Sequence, residues 1–192
     1  MKRVLTLVAT ISMALACMAA SADPYGDTIK LFKNAGESAG FFNKSYGYAV
    51  FPTIGKGALV VGGAHGKGQV YEHGKYVGDA ALSELSVGLQ AGGEAYSQII
   101  FFEDKRAFDE FTSGHFEFGA GVSAVAITAA ASGDVGTTGA SASASGGKKD
   151  AKTAGDYHKG VAVFVISKGG ALVDASVAGQ KYSYKPRAAD KG

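Results

Sequence analysis

Two periodicities divide the chain. Between residues 23 and 45 apolar side chains recur three and four apart, at Ile29, Phe32, Ala35, Ala39 and Phe42. That spacing lines one face of a helix. Asp27 is placed to cap it, and Gly36 and Gly40 predict a break. A helix of this kind usually packs on its own core; the alternative is an amphipathic segment facing a membrane. From Tyr46 the pattern shortens to β-rich runs: GYAVFP (47–52), GALVVGGA (57–64), GQVYEH (68–73), YVGDA (76–80), SVGLQAGGEAYSQIIFF (86–102) and FEFGAGVSAVAIT (116–128). Gly74-Lys75 reads as a two-residue hairpin turn, and Gly92-Gly93 as another corner.

Helical spacing returns between Glu103 and Ser113, with Ala107, Phe108 and Phe111 on one face and Asp104 as its cap. Residues 129–155 are Ala, Gly, Ser and Thr with Lys148, Lys149 and Lys152 near the end, and predict a low-complexity loop. Strand signals resume at GVAVFVIS (160–167), ALVDASVAG (171–179) and QKYSY (180–184), before a polar tail at 185–192 that frays.

Glycine, at 29 of 192 residues, is the compositional outlier. Inside a strand it gives no packing area and is kept where backbones approach closely or a sheet bends. Helices do not alternate with strands, which argues against a doubly wound parallel sheet. The pattern predicts an α+β fold: a strongly curved, mostly antiparallel β-sheet or small barrel-like sheet, with an N-terminal helix and one or two covering helices.

The first 22 residues have the form of a secretory signal: Lys2 and Arg3, an apolar stretch from Val4 to Cys17, then Ala20-Ser21-Ala22. Residues 23–192 form one expected domain, exported to the periplasm or outer envelope surface. Losing Lys2 and Arg3 brings the 19 basic residues down to match the 17 acidic ones. Such balance excludes nucleic-acid binding by bulk charge, so charged partners are met by local patches. Cys17, the sole cysteine, admits two readings. It leaves with the signal, or it carries a lipid anchor, although Ala14 stands where a lipidation motif has leucine. No disulfide is possible in the remainder.

Motifs for chemistry fail on spacing. In GGAHGKG (62–68) Gly66-Lys67 is followed by Gly68, not by the Ser or Thr of a phosphate loop, and no helix pattern follows. No nucleotide is expected. His65, His73, His115 and His158 lack metal-ligand spacing, so no metal or cofactor is expected. No nucleophile elbow or paired acid–base arrangement occurs, which points to a non-enzyme.

What remains is lysine beside aromatic residues. Phe41, Phe42 and Lys44 end the N-terminal segment that carries Lys30 and Lys33; Lys56 and Lys67 lie in the glycine-rich strands; Lys181, Tyr182, Tyr184, Lys185 and Arg187 lie near the end. Rings enter the headgroup region of a bilayer and cations meet its phosphates. The candidate lipid-binding set is Lys30, Lys33, Phe41, Phe42, Lys44, Lys56 and Lys67. A solvated surface carries such residues as well.

GYAVFP (47–52), GALVVGGAHGKGQVY (57–71), SVGLQAGGEAYSQIIFF (86–102), FTSGHFEFGAGVSAVA (111–126) and SKGGALVDASVAG (167–179) resemble, in order and spacing, the SYLF domain, also called the Ysc84-type actin-binding or lipid-binding domain. The resemblance implies a compact α+β domain rich in antiparallel strands. It also implies binding of phosphoinositides and other anionic lipids, and of actin in some eukaryotic members. Where relatives carry a Tyr-Ser-Arg-Ser-Lys-Gly-like run, this chain has Phe164-Val165-Ile166-Ser167-Lys168-Gly169. The expected partners are anionic membrane lipids, with a protein partner as the alternative. An eight-stranded outer-membrane barrel is a third reading, disfavoured by the polar end Pro186–Gly192.

Overall fold

The computed structural model describes residues 23–58, 61–87, 92–119, 122, 124–127, 157–169, 177 and 179–188. The expected signal segment, Cys17 and the low-complexity loop at 129–155 lie outside them. Among the described residues the helices are α1 (Pro24–Asn34), α2 (Gly36–Ala39) and α3 (Lys105–Thr112). A 3-10 turn at Gly40–Asn43 follows α2. The strands are β1 (Gly47–Ala58), β2 (Val61–Glu72), β3 (Lys75–Val87), β4 (Gly92–Phe102), β5 (Phe116–Glu117), β6 (Val125–Ile127), β7 (Val161–Gly169) and β8 (Lys181–Pro186). They form one eight-stranded sheet in the order β5-β8-β3-β2-β1-β4-β7-β6. All neighbours are antiparallel except β6 and β7.

The sheet curls into a half-barrel, and one hydrogen bond demonstrates it. Three strands separate β8 from β4. A flat sheet would hold them about 19 Å apart, at about 4.8 Å per strand. Yet Gln98 of β4 donates through Nε2 to Tyr182 Oη of β8 at 2.7 Å. Part of the bend comes from Pro52, which sits mid-strand in β1. Three residues of β1, Thr53 back to Phe51, span a register slip against both β2 and β4. The bulge accommodates a residue with no N–H to give a ladder. Ser97 Oγ donates to the Pro52 carbonyl at 2.7 Å and fixes it.

The bulge also reverses the parity of β1. Ahead of it Ala49 and Phe51 face the concave side; beyond it Ile54 does, in the same buried cluster. The concave core includes Phe102, Phe111, Phe118 and Tyr182 and is capped by α3. Asp104 Oδ1 accepts from Ala107 N at 2.8 Å, the expected cap. A second core lies on the outer side, where α1 and the 3-10 turn bury Phe32 and Phe41 against Tyr48, Val50, Ile99, Phe101 and Phe164.

Several expectations change in detail. The cap of α1 is Asp23, whose Oδ1 accepts from Tyr25 N at 3.2 Å; Asp27 lies in the first turn. The helix breaks at Ala35, one residue before Gly36, because Ala35 is extended there. The β2–β3 turn is His73-Gly74, not Gly74-Lys75. Glu72 pairs with Lys75, and both turn residues have positive φ (47° and 77°), the mirror-image turn that matches strand twist. The short runs at 47–52 and 57–64, and at 57–64 and 68–73, fuse into the long β1 and β2, because glycine lies inside these strands. Among the described residues of 116–128 the strands are Phe116–Glu117 and Val125–Ile127. At the C-terminal end β8 runs to Pro186, two residues into the stretch expected to fray.

Gly47 and Gly68 show what the strand glycines do. A Cβ on Gly47 would lie 2.5 Å from the Tyr71 carbonyl oxygen and 2.9 Å from the Phe108 ring. One on Gly68 would lie 2.6 Å from the Phe51 ring. Gly55, by contrast, faces open space. Gly47→Ala is expected to cost roughly 3 kcal/mol in urea unfolding, since a carbonyl cannot move aside. Gly55→Ala should stay within about 0.5 kcal/mol. Equal costs at the two positions would refute close approach as the reason for Gly47.

Candidate functional site

The structure separates the candidate residues into three groups. At the N-terminal segment, Lys30 pairs with Asp27 at 3.3 Å on an exposed surface. Lys33 Nζ stands 5.3 Å from the centroid of the Phe42 ring, a cation–π contact. Phe42 is half-buried, edge-on to Tyr48 and Phe101 at 5.2 and 4.9 Å. Lys44 is exposed. Phe41 belongs with the core: it is 7% exposed and packs on Phe101, Tyr157 and Phe164 at 5.0–5.5 Å. A ring so enclosed does not face a membrane.

Lys56 lies inside the half-barrel, carried there by the Pro52 bulge. Its Nζ is 3.2 Å from Glu84 Oε1, with side chains 17% and 8% exposed. Lys67, on β2, points outward and is exposed. It shares the outer face with Lys181 and Lys185 of β8 and Lys168 of β7, which the candidate set omitted.

Sequence reasoning also missed a buried polar network around the Lys56–Glu84 pair. Gln98 Nε2 donates to Gln180 Oε1 at 3.2 Å and to Tyr182 Oη. Tyr182 Oη donates to Gln180 Oε1 at 2.6 Å. Gln180 Nε2 donates to Glu84 Oε2 and Tyr96 Oη, each at 3.1 Å. Gln98 and Gln180 are 0% and 1% exposed. The only sequence signal was polar residues at inward positions of β4 and just before β8. Burial pushes the Tyr96 and Tyr182 hydroxyls well above their ordinary range. Both phenols stay neutral near neutral pH and keep their protons available as hydrogen-bond donors. Among the described residues no cluster of three or more His, Cys, Asp or Glu could hold a metal ion. Among them, too, no helix is long and apolar enough to cross a membrane.

Comparison with known proteins adds the lineage. A family model described as Ysc84, Las17-binding protein actin regulator, matches residues 83–191. Beta cell expansion factor A of Aeromonas veronii is 32% identical over 158 residues, which cover 80% of this chain. The match covers 51% of that relative, so this chain spans about half of its length. The matched region runs from β3 through β8 and holds the buried network together with the outward lysines of β7 and β8, and on that footing the chain belongs to the Ysc84 (SYLF) family.

Proposed function

We propose that the protein is a non-enzymatic module of the cell envelope that adheres to anionic lipid surfaces. One observation carries this. Lys33, Lys44, Lys67 and Lys185 are exposed and form no salt bridge with an acidic residue among the described residues. In a chain with nearly balanced charge such lysines give local cationic positions, Lys33 and Lys44 at the N-terminal segment and Lys67 and Lys185 on the sheet, where a negatively charged surface can meet them. The form of residues 1–22 supports export, and the family supports a binding role.

Co-sedimentation of the chain lacking residues 1–22 with vesicles tests the proposal. Binding is expected to vesicles containing about one third anionic lipid at low salt, to fall steeply by about 0.5 M salt, and to be absent on neutral vesicles. Equal partitioning on anionic and neutral vesicles would remove the claim.

A second reading is a protein partner, favoured by the family description as an actin regulator. A stoichiometric complex with purified actin filaments, unchanged by anionic vesicles, would promote it.

A further inference from the structure

The sheet's outer face is only partly covered. Helix α1 and the 3-10 turn lie over β4, β7 and the first half of β1. The outer core also reaches Tyr71 near the end of β2; the rest of β2, with the second half of β1, β3 and β8, has no covering element among the described residues. Its outward positions include the small residues Gly55, Gly57, Gly63, Ala81, Ser83 and Ser183, with His65 standing between Gly55 and Ser83. Side chains this small leave the convex outer face of the half-barrel smooth.

Four lysines stand on or beside this strip. Lys67 lies at its centre, opposite Ala81 on β3. Lys181 and Lys185 lie on β8, opposite Ser83 and Asp79. Lys168 reaches in from β7 to donate to Thr53 Oγ1 at 3.2 Å. Asp79 and Glu117 are the acids nearby; Glu117 pairs with Lys181 at 3.6 Å, and Asp79 accepts from Tyr76 Oη at 2.8 Å. Cations therefore outnumber acids. At the end of the same strip Leu85 points outward, opposite Gly63, and is 80% exposed. It is the large hydrophobic residue that the described structure leaves in solvent.

From this arrangement we infer that the uncovered outer face of β1, β2, β3 and β8 is the surface that lies against an anionic bilayer, with Lys67 and Lys185 on the headgroups and Leu85 entering the interface. The inference rests on the lipid-binding reading above and names its contact surface. Charge complementarity selects the occupant. A protein partner would find Lys67 and His65 at the centre of the strip and no exposed tryptophan, tyrosine or arginine anchor there, whereas a bilayer needs only a cationic surface with an apolar tip. The N-terminal segment is the competing surface. It stands proud of the sheet by a helix about 10 Å thick, so one planar membrane cannot lie flat on both.

The chain contains no tryptophan, which makes the test direct. Leu85→Trp and Phe42→Trp each place a single fluorescent reporter, one on the strip and one on the N-terminal segment. With vesicles containing about one third anionic lipid, the Leu85→Trp emission is expected to shift to the blue and that of Phe42→Trp to stay unchanged. Lys67→Glu with Lys185→Glu is expected to weaken partitioning at least about 25-fold, roughly fivefold for each lysine near an anionic surface. Lys33→Glu with Lys44→Glu should weaken it far less. Circular dichroism checks that each variant folds, and all six positions are exposed or half-buried. If the unaltered chain binds anionic vesicles but Leu85→Trp does not shift, or the Lys67/Lys185 variant binds normally, the assigned surface is wrong. If the unaltered chain ignores anionic vesicles, the lipid-binding reading itself fails.

Discussion

Above pH 10 the fold is expected to come apart cooperatively, with tyrosinate absorbance rising in step with the loss of circular dichroism. Tyr96 and Tyr182 are 5% and 3% exposed. Burial raises both hydroxyls above their ordinary value of 10. Tyr71 and Tyr157, also hindered by burial, are pushed up to about 12. The unfolded chain therefore loses these protons first. Between the unfolded and folded values it binds fewer protons than the native state, so stability is whole below pH 10 and falls as pH climbs past it. Two buried phenols alone remove about 3 kcal/mol per pH unit, at about 1.4 kcal/mol for each retained proton. One or two pH units then exhaust much of the roughly 5–15 kcal/mol that holds a domain folded. Nine tyrosines and no tryptophan make the absorbance signal clean. Titration of all nine near pH 10 with the dichroism intact would show that Tyr96 and Tyr182 are not enclosed.

Lys56→Met is expected to destabilise the protein by about 3 kcal/mol in urea unfolding at neutral pH. The substitution keeps the volume but leaves the Glu84 carboxylate, 8% exposed, without its cation. Breaking one side of a buried pair costs far more than the pair contributes. Glu84 keeps Gln180 Nε2 at 3.1 Å, which tempers the loss. Lys56→Met with Glu84→Met should recover most of it, because no uncompensated charge is left inside. A single variant as stable as the unaltered protein would place Lys56 in solvent.

These two expectations rest on features that the chain's alternation hid in different ways. The helices at Pro24–Asn34 and Lys105–Thr112 were legible because Phe32, Phe108 and Phe111 repeat at helical spacing. The curved antiparallel sheet was legible from glycine within apolar runs. Lys56 was misread as a surface contact because the bulge at Pro52 shifts the inward positions by one, and nothing in the local pattern announces the shift. Phe41 and Phe42 are adjacent and look equivalent, yet a 3-10 turn sends one into the core and leaves the other half-buried under Lys33. The network of Gln98, Gln180 and Tyr182 joins residues more than 80 positions apart, and the curl of the sheet alone makes them neighbours. Lys67 was placed on the surface, but its companions Lys168 and Lys185 were not grouped with it, since strand order is invisible in a single sequence.

The lone parallel pairing has a bearing on how freely this lineage can be re-engineered. Because β6 and β7 run in the same direction side by side, the backbone leaving Ile127 has to travel back along the sheet before Val161 can begin. A dozen or so residues suffice for such a return, and this chain spends roughly 30, many of them alanine, glycine and serine. Insertion of a tag or peptide epitope between Ile127 and Tyr157 is expected to leave the pairing of β6 with β7 in place, since each doubling of a connection costs only about 0.6 kcal/mol of closure entropy.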